Sequence, residues 1–162
     1  MSSEQSIYKL KSDGFVNSGQ VALSAKESAE LSRLAQEVCN NLAPDHPLYL
    51  SPKGGVGGVD CLPQLHPEIA RLIDKVVSNS KVISILQSVL GSNYKISQMV
   101  FRRSYPGQMG LSLHQDAPGE VTLSILLSEN SSGGGTTCFL PGSNHLFERV
   151  KDLKLEAPPA LC

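Results

Sequence analysis

The sequence predicts an α+β fold in which helices come first and an antiparallel β-sandwich or jelly roll follows. Apolar residues recur at helical spacing up to about residue 90, and short runs of strand-forming residues replace them afterwards. Turns rich in Pro and Gly separate the later runs, as is typical of hairpin-like links between strands. With 162 residues, the chain is expected to form one domain over 1–162.

Four helices are predicted, and local signals mark their ends. They cover 7–12, 24–43, 67–78 and 80–90. The second should begin with a capping box, because the Ser24 hydroxyl can accept the third helical N–H while Glu27 reaches back. The remaining signals are Gly14 and Gly91 after helix ends, Pro67 as a first helical residue and Ser80 as a cap.

The rest of the chain is predicted as extended segments, one long loop and strands. Residues 15–23 look extended. Residues 44–67 are rich in Pro and Gly and predict a flexible loop, whose length fits a substrate-facing lid. A phosphate-binding loop is the weaker interpretation, because no Gly-Lys-Ser/Thr follows the glycines. Strands are predicted over 94–105, 111–113, 120–127 and 136–140.

The composition disfavours several classes of protein. The net charge is −1 and no basic stripe is visible, so a nucleic-acid partner is not expected. The N-terminus lacks the pattern of a signal peptide, and no apolar run is long enough to cross a membrane. The four Cys have no paired spacing, which predicts reduced thiols in a cytoplasmic protein.

His114-Gln115-Asp116 is the most informative motif. An imidazole and a carboxylate two positions apart at a strand end can converge on one point. Two His and one carboxylate form the facial triad that holds non-haem Fe(II). The alternative is a surface Asp beside a core His, with no metal involved.

The surrounding sequence resembles the phytanoyl-CoA dioxygenase family of Fe(II)- and 2-oxoglutarate-dependent oxygenases. The residues that carry the resemblance are Leu113-His114-Gln115-Asp116, the Gly133-Gly134-Gly135 turn, Phe139-Leu140-Pro141-Gly142-Ser143 and the opening Asp13-Gly14-Phe15. The resemblance implies a double-stranded β-helix with N-terminal helices packed on it. It further implies that His114 and Asp116 ligate iron, that 2-oxoglutarate and O₂ are cosubstrates, and that a small organic substrate is hydroxylated.

Two parts of the family's pattern are not found in this chain. The resemblance implies a distal iron His, and an Arg for the far carboxylate of 2-oxoglutarate, well beyond Pro141-Gly142-Ser143. The only downstream candidates are His145 and Arg149. His145 is more in keeping with a structural His after that turn, and Arg149 has a similarly poor claim. We therefore expect a truncated member that lacks the C-terminal half of the jelly roll.

The remaining candidates for cosubstrate binding are Arg103, Tyr105 and Ser124, although a solvated strand face is the simpler interpretation of the first two. His46 and His66 each precede a Pro, and helix-entry or solvated roles are expected for them.

Two other functions stay open. A non-catalytic remnant could act through protein contacts, because a half-barrel exposes sheet edges that favour self-association. A cupin-like small-ligand binder could share the architecture, but the His-x-His cluster typical of cupin metal sites does not occur.

Overall fold

A computed structural model describes residues 1–19, 22–52, 57–104, 114, 116–127 and 137–145. Their regular elements are α1 (Ser3–Asp13), α2 (Ala25–Asn41), β1 (Tyr49–Leu50), β2 (Gly57–Asp60), α3 (Pro67–Val77), α4 (Ser80–Leu90) and β3 (Val100–Arg103). Short 3-10 turns occur at Leu62–Gln64 and Ser143–His145. Helices and an antiparallel sheet make the chain α+β, as predicted.

Capping boxes start the first two helices. The Ser24 side chain accepts the Glu27 N–H at 3.3 Å, and a Glu27 carboxylate oxygen accepts the Ser24 N–H at 2.8 Å. This confirms the predicted start of α2. Helix α1 begins earlier than predicted, because Ser2 and Gln5 form a second capping box that the apolar pattern did not reveal.

The starts of α3 and α4 rely on other side-chain acceptors. His66 precedes α3, and its Nδ1 accepts the Glu68 N–H at 3.2 Å, while Pro67 occupies the first helical position as predicted. The predicted cap of α4 is off by one residue. Asn79, not Ser80, is the cap, because its Oδ1 accepts N–H groups from Lys81 and Val82 at 3.0 and 3.4 Å. Gly91 ends α4, as expected.

The core lies between helices α2 and α3 and the sheet. Helix α2 contributes Leu31, Leu34, Ala35 and Cys39, and α3 contributes Ile69, Leu72 and Val76. Val59 of β2 is fully buried in the same cluster, and Phe101 of β3 packs against it. Helix α1 lies against α4, which in turn contacts α3. Burial of these apolar side chains is the main stabilising contribution to such a fold.

An ion pair joins the outer surfaces of α2 and α3. Lys75 Nζ donates to Glu27 Oε1 at 2.6 Å. This hydrogen bond, together with those from Ser24, lowers the pKa of Glu27 from its ordinary value of 4.5 to about 2. The carboxylate that caps α2 therefore also ties that helix to its neighbour.

The sheet has the order β1-β2-β3, and both pairings are antiparallel. Its central strand lies in residues 44–67, so the prediction of a structureless loop there was wrong. Gly58 pairs with Arg102, and a Cβ at Gly58 would lie only 1.9 Å from the Phe101 carbonyl oxygen. Glycine, which usually weakens a strand, is required here because the two backbones approach so closely.

The later predicted strands are shorter or not formed. Of the described residues 94–104 in the predicted run 94–105, only Val100–Arg103 form a strand, and neither 120–127 nor 137–140 forms one. The prediction over 111–113 lies outside the described residues. Ile125 and Leu127 nevertheless pack against the core, so the segment covers part of it without strand geometry. The jelly roll is not part of what these residues form.

The cysteines differ from one another. Cys39 and Cys61 are free thiols, as predicted, and burial raises the pKa of the Cys61 thiol. Cys138 is disulfide-bonded, so the prediction of reduced thiols was wrong for this residue. Bridges depend on which cysteines the fold brings together, and sequence spacing does not report this. Among the described helices, none is both long and apolar enough to cross a membrane.

Candidate functional site

The structure brings His114 and Asp116 together. His114 Nε2 lies 3.7 Å from Asp116 Oδ1, which is longer than a hydrogen bond but short enough for a shared ligand. The side chains are 57% and 49% exposed, so solvent reaches both. The two groups converge as the spacing predicted.

A β-turn positions the residues that follow Asp116. The Glu120 N–H donates to the Ala117 carbonyl oxygen at 3.1 Å, which closes a turn with Pro118 and Gly119 at its centre. Gly119 has a φ of +83°, as type II turns require at their third position. The turn reverses the chain, so the residues after it run back past Asp116.

This reversal places Thr122 against the Asp116 carboxylate. The Thr122 hydroxyl donates to Asp116 Oδ2 at 2.7 Å, a short hydrogen bond to a charged acceptor. The two carboxylate oxygens therefore have different surroundings, with Oδ2 held by Thr122 and Oδ1 beside His114. Thr122 was not predicted from the sequence, although the Pro-Gly turn between it and Asp116 is a signal that the two residues lie close together.

The donor set of the pair is suited to a divalent metal. A neutral imidazole nitrogen and a carboxylate oxygen are two of the three ligands of the Fe(II) facial triad. Ligands about 2.1 Å from an ion lie about 3 Å apart when they occupy neighbouring octahedral positions. The observed 3.7 Å would have to shorten by about 0.7 Å, a small change for exposed side chains. The described residues contain no group of three or more His, Cys, Asp or Glu that could hold a metal.

His145, the weak third candidate, is in a different environment. Its Nε2 lies 3.4 Å from Asn144 Nδ2, in the 3-10 turn Ser143–His145. It does not join His114 and Asp116 in any metal-binding group among the residues described. The structural role expected for it stays a prediction.

The turn that holds His145 packs against the end of α1. The Gly142 N–H donates to the Asp13 carbonyl oxygen at 2.9 Å, and Asn144 Nδ2 donates to the Lys11 carbonyl oxygen at 3.1 Å. The rings of Phe15 and Phe139 are stacked with centroids 4.7 Å apart. Two sequence segments that carry the family resemblance thus contact each other directly.

Two candidates for cosubstrate binding, Arg103 and Ser124, lie in β3 and in the segment after the turn. Arg103 Nη1 donates to Asn40 Oδ1 of α2 at 2.5 Å, so this guanidinium also links the sheet to a helix. Ser124 is exposed in the segment after the turn. Tyr105 and Arg149 lie outside the described residues.

The two remaining histidines have the structural roles expected of them. His66 caps α3, and His46 Nδ1 accepts the Leu48 N–H at 3.1 Å in the connection before β1. Both rings use a nitrogen to satisfy a backbone donor that a helix or strand does not satisfy.

In comparisons with known proteins, no family model, no curated protein and no solved structure matches this chain.

Proposed function

We propose that this chain belongs to an Fe(II)- and 2-oxoglutarate-dependent dioxygenase of the phytanoyl-CoA dioxygenase type, an oxidoreductase that hydroxylates a small organic substrate. The observation that carries the proposal is the convergence of His114 and Asp116, whose nearest ligand atoms are 3.7 Å apart. A His-x-Asp motif provides this donor pair only when both side chains approach the same point, as those of His114 and Asp116 do.

The contact between the two outer signature segments gives independent support. Asp13-Gly14-Phe15 and the turn after Phe139 are more than 120 residues apart in sequence, as the hydrogen bond from Gly142 to Asp13 illustrates. A chance resemblance in unrelated segments gives no reason for them to pack together. Their hydrogen bonds and stacked rings support the view that the resemblance reflects one folded unit.

The residues of this chain would each make a defined contribution. Bound Fe(II), with 2-oxoglutarate and O₂, supplies the oxidising power for C–H hydroxylation. His114 would hold the metal through Nε2 and Asp116 through Oδ1. Asp116 also brings a negative charge, which attracts a divalent cation more strongly than a neutral ligand group does.

Anaerobic addition of Fe(II) and 2-oxoglutarate to the purified chain tests the proposal. We expect a visible metal-to-ligand charge-transfer band, and its loss in His114→Ala and in Asp116→Ala. His46→Asn is the matched control, because it removes an imidazole outside the pair but keeps an acceptor for the Leu48 N–H. A chain that gives no band and no Fe(II) binding is not a dioxygenase by itself.

A non-catalytic domain that acts through protein contacts is the second candidate. It is favoured by large apolar side chains that are exposed in the later segments, namely Leu123, Leu126 and Phe139 at 45%, 64% and 45%. Exposed apolar patches often mark protein-binding surfaces. Sedimentation velocity across a concentration series, combined with the Fe(II) titration, separates the two functions. Self-association without Fe(II) binding supports this candidate. A monomer that binds Fe(II) supports the first.

A further inference from the structure

We propose that Thr122 is a positioning residue for Asp116, which fixes the carboxylate so that Oδ1 is the oxygen offered to a metal ion. This inference rests on the proposed function, because it concerns how that site would bind its metal. Thr122 itself is not expected to touch the metal or a substrate.

The hydrogen bond defines which oxygen is available. Thr122 Oγ1 lies 2.7 Å from Oδ2, whereas Oδ1 faces His114 Nε2 at 3.7 Å. Binding of a metal by both oxygens would require Oδ2 to give up this hydrogen bond. The contact therefore favours binding through one oxygen, which leaves more coordination positions for other ligands.

Threonine is well suited to this role at this position. The turn at Ala117–Glu120 brings residue 122 back alongside residue 116, and it is held in shape by its own backbone hydrogen bond. A β-branched side chain has few χ1 rotamers, so its hydroxyl loses little freedom on donating. The carboxylate, in contrast, is half-exposed and would sample several orientations without a partner.

Removal of a hydrogen-bond partner of a metal ligand typically weakens metal binding by 10- to 100-fold. The hydrogen bond from Thr122 is exposed to water, which places the expected effect at the lower limit. We expect Thr122→Val, which replaces the hydroxyl by a methyl group of similar size, to weaken Mn(II) binding about tenfold. Thr122→Ser keeps the hydroxyl and should restore most of the affinity.

The experiment measures Mn(II) affinity from the free-ion electron paramagnetic resonance signal, with the wild-type chain and both variants. Mn(II) is a redox-stable probe for a site of one imidazole and one carboxylate. Thr137→Val is the matched control, because Thr137 is another exposed threonine. Urea unfolding of each variant separates an effect on metal binding from an effect on folding.

Each result has one meaning. The positioning role is supported if Thr122→Val lowers the Mn(II) affinity tenfold, Thr122→Ser restores it and Thr137→Val leaves it unchanged. Equal affinities of wild type and Thr122→Val overturn it while leaving the proposed function intact. Equal losses in the Val and Ser variants also overturn it, because the hydroxyl is then not the cause. Failure of the wild-type chain to bind Mn(II) removes the proposed function, and the positioning role with it.

Discussion

Replacing Gly58 by Ala should disrupt the pairing of β2 with β3. A Cβ at this position would lie 1.9 Å from the Phe101 carbonyl oxygen, whereas ordinary contacts begin at 3.4 Å. The atom that is struck belongs to the backbone, so no side-chain rotation can relieve the overlap. The strands would have to separate by about 1.5 Å, beyond the range of a backbone hydrogen bond.

The cost of this separation can be worked from the contacts that it breaks. Loss of about two ladder hydrogen bonds costs about 1–3 kcal/mol. Repacking of Val59 and Phe101, which are paired across the two strands and pack in the same core, costs about 1–3 kcal/mol more. We expect the free energy of unfolding to fall by about 3 kcal/mol or more, a large share of the total for a domain of this size.

Urea unfolding followed by circular dichroism measures the effect. With an m-value of roughly 2 kcal/mol/M, the midpoint should fall by about 1.5 M or more. Gly19→Ala is the control, because Gly19 has a φ of +68° but an added Cβ would meet nothing within 4 Å. It should cost about 1 kcal/mol, from backbone conformation alone. A Gly58→Ala chain no less stable than Gly19→Ala would refute the argument from close approach.

Three further changes probe the helices and the turn that packs on α1. Because the pKa of Glu27 is lowered to about 2 in the folded chain, its ionised form stabilises the fold above about pH 4.5, and this is lost as the pH falls towards 2. The difference in Tm between wild type and Glu27→Gln should therefore shrink over that pH range, and a constant difference would contradict the role of the ion pair with Lys75. His66→Ala should lower the free energy of unfolding by about 1 kcal/mol, whereas His66→Asn, which keeps an N-cap acceptor, should lose much less; similar losses in chemical denaturation would argue against capping. Asn144→Ala removes the donor to the Lys11 carbonyl oxygen and should lower the free energy of unfolding by about 0.5–1 kcal/mol. Asn144→Asp lacks the same donor and should lose at least as much stability in the same assay. A smaller loss would contradict a stabilising role of this hydrogen bond.

Local signals allowed the helices to be predicted, because caps and apolar spacing act within a few residues. The box at Ser24 and Glu27 and the Pro67 start of α3 are examples, and both lie where predicted. The central strand β2 was missed for a different reason. Its glycines disfavour a strand locally, and the need for Gly58 comes from Phe101, more than 40 residues later. No local rule reports such a requirement.

The candidate site was predicted in part for the same reason. The spacing of His114 and Asp116 allowed their convergence to be expected, and the side chains do lie together. Their role as metal ligands stays a prediction. Thr122 was not expected, because its contact depends on how far the Pro118-Gly119 turn reverses the chain. A motif thus predicts its own donors better than it predicts the groups that orient them.

The packing of the Gly142 turn on α1 has a consequence for the order of folding. The hydrogen bond from Asn144 to Lys11 joins residues 133 positions apart. Closing a loop of that length costs about 2 kcal/mol more entropy than closing a ten-residue loop. Such a contact forms only after nearer ones have shortened the effective loop, as α2 and α3 do when they meet. During synthesis, helix α1 leaves the ribosome before the rest of the described chain, and it must wait for nearly all of that chain before this turn can dock on it.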